Sequence, residues 1–213
     1  MKKIILSVLS LLFSVFIFAQ SERYTAAMKK NLDALDTSFK TPQSLLSVAN
    51  NFERIATAEK NQWLPYYYAA FCQVNYGFME TDKSKVDAYA DKATELINKA
   101  DSLSPKNSEI SCVKSMIATC HMLVDPMTRY QEYGKESSDN LEAAIAQDPT
   151  NPRPHYLKGQ GLRFTPEQFG GGCKTALTEL QTAMTKYQSF KKPGELNPDW
   201  GKPQVEEIIK GCQ

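Results

Sequence analysis

A block of small, large and small residues returns along this chain at a fixed distance of 44 positions. Ala93, Ile97 and Ala100, followed by Pro105, are echoed by Ser137, Leu141 and Ala144, followed by Pro149. Ala176, Leu180 and Ala183 carry the same internal spacing without the proline. Positions four and then three apart share one face of a helix. Small residues at its two ends let a neighbouring helix approach closely, and the large one fills the groove between. A second series, Ala70, Ser115 and Gly159, is spaced by 45 and 44. It falls one helix earlier in each block, where the partner helix would cross. A chain built this way has to fold as helices packed in pairs.

The rest of the pattern agrees. Val86, Ala90, Ala93, Ile97, Ala100 and Leu103 follow a helical period, as do Ile110, Val113, Ile117, Cys120 and Val124. No stretch sustains the alternation of a strand. Thr41-Pro42, Asp125-Pro126, Asn151-Pro152 and Thr165-Pro166 each offer a capping side chain with proline after it. Ser104-Pro105, Asp148-Pro149 and Asn197-Pro198 mark stops. These signals predict helices over 22–38, 42–59, 64–79, 83–103, 108–124, 127–147, 152–163, 172–189 and 203–212. The last is a short amphipathic helix with Val205, Ile208 and Ile209 on one face. It is expected to cap the final helix pair, because the last apolar face of a stack must be covered.

The N-terminus reads as a targeting segment. Lys2 and Lys3 precede an apolar run from Ile4 to Phe18, and Ala19-Gln20 follows. The run is shorter than the ~20 residues of a spanning helix and holds three serines, so a cleaved signal peptide is expected over 1–19. No cysteine follows the run to carry a lipid anchor. The mature chain, 20–213, is expected to be one domain, periplasmic or secreted, with no stable membrane insertion. Lys+Arg number 25 against Asp+Glu 24, a balance that disfavours a nucleic-acid partner.

Chemistry is sparse. The two histidines, His121 and His155, have no metal-ligand spacing, and no CxxC occurs. Metal, cofactor and catalytic residues are therefore all expected to be absent. Cys120 and His121 are neighbours on a helix and point apart, which excludes a thiolate–imidazole pair. Gly170-Gly-Gly-Cys-Lys174-Thr175 lacks the last glycine of a phosphate loop and follows no strand, so it reads as a turn into a helix. A helix start with Lys174 beside it is the alternative, as an anion site. Five cysteines leave at least one unpaired. Cys173 opens one helix and Cys212 closes the last, which makes a Cys173–Cys212 disulfide the expected pair. Two free thiols, with Cys212 fraying at the terminus, are the alternative.

These features resemble the tetratricopeptide repeat, on Tyr66 with Ala70, then Ala93, Ile97, Ala100 and Pro105, and on the two weaker blocks that follow. The resemblance implies a right-handed solenoid of helix–turn–helix repeats, although the usual period is about 34. It also implies that the first helix of each pair lines a concave groove. Groove positions would be Tyr67, Phe71 and Asn75, then Met116 and Thr119, then Arg153, Tyr156, Gln160 and Arg163. An aromatic floor with arginines at one end suits a protein or peptide carrying an acidic group. The segment Thr165-Pro-Glu-Gln-Phe-Gly-Gly-Gly172 resembles part of exported bacterial tetratricopeptide proteins, among them the T-component proteins of some substrate-uptake systems. Trp63-Leu-Pro-Tyr-Tyr-Tyr68 and Asn197-Pro-Asp-Trp-Gly-Lys202 add a likeness to proteins exported by Bacteroidetes-type bacteria. Two functions follow: a non-catalytic scaffold binding a protein or peptide in its groove, or a small-molecule-binding accessory protein of an uptake system. An open groove would favour the first and an enclosed pocket the second.

Overall fold

The computed structural model describes residues 22–212 and is all-α, with no strand among them. The segment read as a signal peptide, with its Ala19/Gln20 boundary, lies outside the described residues. The helices are α1 (22–38), α2 (Pro42–Ala58), α3 (Trp63–Met79), α4 (Lys83–Leu103), α5 (Ser108–Val124), α6 (Pro126–Arg129), α7 (Lys135–Gln147), α8 (Arg153–Phe164), α9 (Cys173–Ser189) and α10 (Lys202–Lys210). Among the described residues no helix is long and apolar enough to cross a membrane.

The starts are set by short side chains. Thr41 Oγ1 accepts the Ser44 amide, Asp82 Oδ1 the Ser84 amide and Asn107 Oδ1 the Glu109 amide. Each satisfies an amide that has no partner inside its own helix. Asn151 does the same for Arg153, one residue beyond the proline expected to open α8. Thr165-Pro166 opens only one 3-10 turn, Glu167–Phe169, because three glycines end it. Gly170 and Gly172 have φ of 84° and 90°, and a Cβ on Gly171 would lie 2.0 Å from the Thr165 carbonyl oxygen. Each of these glycines is therefore required by backbone geometry, which is the structural reading of that motif.

Extra length over a 34-residue repeat is absorbed in two places. Helix α4 runs for 21 residues. Between α6 and α7 the helix widens into a single π turn, Tyr130–Gly134, so the expected 127–147 helix is interrupted rather than straight.

Successive helices run antiparallel. Gly77 near the end of α3 meets Val86 and Tyr89 in the first half of α4, and Asp87 of α4 meets His121 near the end of α5. Ser108 and Ser111 at the start of α5 bond Ala144 and Gln147 at the end of α7. The first helices of the pairs consequently run parallel to each other. Tyr67 faces Glu109 near the starts of α3 and α5, and Gly77 faces Cys120 near their ends. The small residues sit at the crossings. A Cβ on Gly159 would lie 2.7 Å from Leu180 Cγ, and Ser115 and Ser137 are bonded at 2.8 Å. One large core spans α1 to α5. A smaller cluster joins Tyr156 of α8, Ala176, Leu180 and Ala183 of α9, and Val205 of α10, with Ile208 and Ile209 packed against it. Helix α10 thus covers the last apolar face.

Cys173 and Cys212 form a disulfide, with Cα atoms 5.3 Å apart. It ties the end of α10 to the start of α9. Cys72, Cys112 and Cys120 are free and buried.

Candidate functional site

The residues expected to line a groove do lie together, but most are covered. Tyr67 and Arg153 have no exposed surface, and Phe71, Met116 and Tyr156 are buried. Asn75 is half-buried and donates to the Phe71 carbonyl. Thr119 and Gln160 are likewise tied to their own surroundings, Thr119 to Ser115 and Ser137 and Gln160 to the Tyr156 hydroxyl. Arg163 stands apart, in the last turn of α8.

What lies over Tyr67, Phe71, Arg153 and Tyr156 is the chain's own segment 190–201. Trp200 Nε1 donates to the Tyr67 hydroxyl at 2.8 Å, and its ring lies 5.1 Å from Phe71. Tyr68 donates to the Leu196 carbonyl, and Tyr187 to the Trp200 carbonyl. Arg153 donates from one nitrogen to Glu109 Oε1 at 2.8 Å and from another to the Pro198 carbonyl at 2.7 Å. Its guanidinium lies 5.2 Å from the ring centres of both Phe190 and Trp200. The expected open groove is therefore corrected: an extended strap of the same chain occupies it. Arginine recognising an acid, read as a ligand contact, is instead an internal pair with Glu109. Burial raises the Glu109 carboxyl above its ordinary value, against the Arg153 charge and the hydrogen bonds of Arg153 and Asn151, which lower it.

A cavity of about 210 Å³ remains beside the strap, lined by Trp63, Asn107, Glu109, Asn151, Phe190 and Pro198 among others. It falls below the roughly 300–1,000 Å³ of ordinary small-molecule pockets. A larger dish of about 410 Å³ on α2, lined by Asn50, Glu53, Arg54 and Thr57, is polar and open to solvent. Neither offers apolar enclosure.

The buried thiols are unsuited to chemistry, since burial pushes the Cys120 thiol up to about 12. His121 Nδ1 pairs with Asp87 at 2.8 Å, and Arg129 pairs with the same carboxylate through two nitrogens. Tyr133 stacks on the His121 ring. This cluster fastens the π turn to α4 and α5. His155 is held by Glu179, which also takes Lys158. Among the described residues no group of three His, Cys, Asp or Glu side chains is placed to hold a metal.

Exposed apolar surface is distributed very unevenly. Eight large hydrophobic side chains are exposed among the described residues: Phe39, Phe78, Leu103, Leu123, Met127, Tyr130, Phe164 and Phe169. Six belong to the turns after α3, α5 and α8, or to the helix ends entering them, while Phe39, after α1, packs edge-on against Phe71 in the middle of α3. Antiparallel alternation puts those turns at one end of the molecule. Leu103 alone lies at the other. Met127 is 90 % exposed, Phe164 74 %, Phe169 70 % and Tyr130 66 %. Single exposed hydrophobics are ordinary; several at one end make that end the candidate surface. Sequence reasoning missed this surface. The signal was available in Met127, Tyr130 and Phe169, large apolar residues just after the Asp125-Pro126 and Thr165-Pro166 breaks.

No protein-family model and no curated protein matches the chain. Among solved structures it matches the HusA haemophore from Porphyromonas gingivalis at 35 % identity, over 89 % of this chain and 92 % of that one, with a TM-score of 0.79. The chain belongs to the HusA haemophore family. The match spans nearly the whole of both chains. It agrees with the expected likeness to proteins of Bacteroidetes-type bacteria and with the all-α class.

Proposed function

We propose that this chain is an exported haem-binding accessory protein of an uptake system, and that it takes a haem-class macrocycle on its apolar end. The small-molecule reading of the sequence thereby replaces the peptide-groove reading, whose site is filled by the strap. One observation carries the placement: six of the eight large hydrophobics exposed among the described residues belong to the turns after α3, α5 and α8 or to the helix ends entering them. The kinship to a haemophore supports the ligand class. The paired, stacked helices are compatible with a tetratricopeptide-like solenoid, and the N-terminal run with export.

The physical fit is direct. A tetrapyrrole has two flat apolar faces and offers no single bulky group to enclose, so exposed rings and a flexible thioether suit it. Covering about 300 Å² of apolar surface is worth roughly 7 kcal/mol before the costs of association. No covalent or catalytic step is required. Titration of haemin into the mature chain, followed by the Soret band, should saturate at one equivalent. A double variant, Met127→Glu with Phe164→Glu, should bind at least tenfold more weakly while keeping its helical circular dichroism. Absence of saturable binding to the wild-type chain at micromolar concentrations would sink the reading.

A further inference from the structure

The apolar end also carries a cation placed for recognition. Arg163 lies in the last turn of α8, with its guanidinium 6.0 Å from the Phe164 ring centre. Phe164 ends α8 and Phe169 precedes the three glycines, both mostly exposed. Three other cations here are occupied: Arg129 by Asp87, Lys83 by the Val124 carbonyl and Lys135 by Asp139. Arg163 has no carboxylate within 4.0 Å among the described residues. Lys40 and Lys174 also lack an ion pair there, but neither is stacked on a ring. A helix C-terminus is electronegative, so it favours a cation and repels a bare anion. An acidic ligand can settle at this end only where such a charge offsets the helix.

We propose that Arg163 recognises a carboxylate of the bound macrocycle, so that the Phe164–Phe169 surface selects the acid over its neutral ester. The inference rests on the haem reading above and adds the residue that sets its chemical selectivity. A guanidinium pairs a carboxylate through two parallel N–H···O bonds. A ring lying over the ligand face removes water from that pair and strengthens it. The ring beneath Arg163 holds the charge at the border of the apolar surface, where a peripheral carboxylate of a flat ligand would fall.

The test uses haemin and haemin dimethyl ester as probes of the full mature chain, with Soret titration of both. Wild type should prefer the acid by about tenfold, the worth of one charge-assisted hydrogen-bonded pair. Arg163→Gln should lose that preference by weakening haemin and leaving the ester unchanged. Arg163→Lys should keep part of it, and Arg54→Gln on the exposed face of α2 should keep all of it. Raising the salt concentration should shrink the preference in wild type and leave it flat in Arg163→Gln. If both probes bind and Arg163→Gln retains the wild-type ratio, the assignment of Arg163 is overturned while the haem reading stands. If neither probe binds wild type, both readings fall together.

Discussion

The two ends of the molecule are built from the same turns between the same helices, yet they face solvent differently. At one end the turns after α2, α4, α7 and α9 meet, and polar side chains there bond one another, although the buried Arg153 Nε has no hydrogen-bond partner. Asn151 donates to Ser108 and Glu109, Glu109 holds Arg153, and the strap closes over them. At the other end, the turns after α3, α5 and α8 leave Phe78, Met127, Tyr130, Phe164 and Phe169 exposed. The first end spends its aromatic residues on stability. The second holds them unpartnered, at the cost of exposed apolar surface. Substitutions should therefore separate the two ends: the strap end in unfolding free energy, the apolar end in ligand affinity.

The largest effect is expected at the strap. Arg153→Ala leaves Glu109 buried without its cation and should cost about 3–5 kcal/mol in urea unfolding. A loss under 1 kcal/mol would mean that the pair is not buried in solution. Next comes the covalent tie. Cys173→Ser with Cys212→Ser opens a loop with a sequence separation of 39, and chain entropy predicts roughly 3–4 kcal/mol of lost stability. Thermal melts with and without reductant would give the same answer on the wild-type chain, and unchanged melting would refute it.

Within the helix pairs, Gly159→Ala drives a methyl against Leu180, whose backbone nitrogen stands 3.2 Å away as well. Overpacking of this kind costs about 1–3 kcal/mol. Gly161, with nothing within 4 Å of its would-be Cβ, is the control; Gly161→Ala in the same helix should not destabilise. At the apolar end Phe169→Glu should change unfolding stability by no more than about 0.5 kcal/mol, while haemin affinity falls. Equal losses in stability and binding would erase the contrast between the ends.

The smallest effect concerns acid. The Arg129 guanidinium bonded to Asp87 holds that carboxyl down at about 2, helped by His121 and opposed by burial. Its ordinary value is near 4. The stabilisation is present in full above about pH 4 and is lost as pH falls through about 2. The wild type should thus exceed Asp87→Asn in stability at neutral pH and converge with it near pH 2. Asp87 is partly exposed, so the difference is modest and shrinks in salt. A gap that persists at pH 2 would remove the carboxylate as its source.

Helix positions were legible in the sequence because they depend on neighbours three and four residues apart. The caps at Thr41 and Asn151, the proline stops and the small residues at the crossings are all local signals. So is the amphipathic face of α10, and with it the placement of Cys212 near Cys173. That Tyr67, Phe71, Arg153 and Tyr156 line one side of the helix pairs was implied by the resemblance to the tetratricopeptide repeat.

What those neighbours face was decided only by the tertiary structure. Segment 190–201 has no period, and its contacts reach back 45 residues to Arg153 and 133 to Tyr67. No local pattern encodes a pairing at that distance, so a binding groove and a filled one look alike in sequence. The same holds for the apolar end. Phe78, Met127 and Phe164 stand far apart along the chain, and each alone is an ordinary residue in a helix's first or last turn. Antiparallel packing of successive helices brings their turns to one side, and only that arrangement turns scattered side chains into a surface.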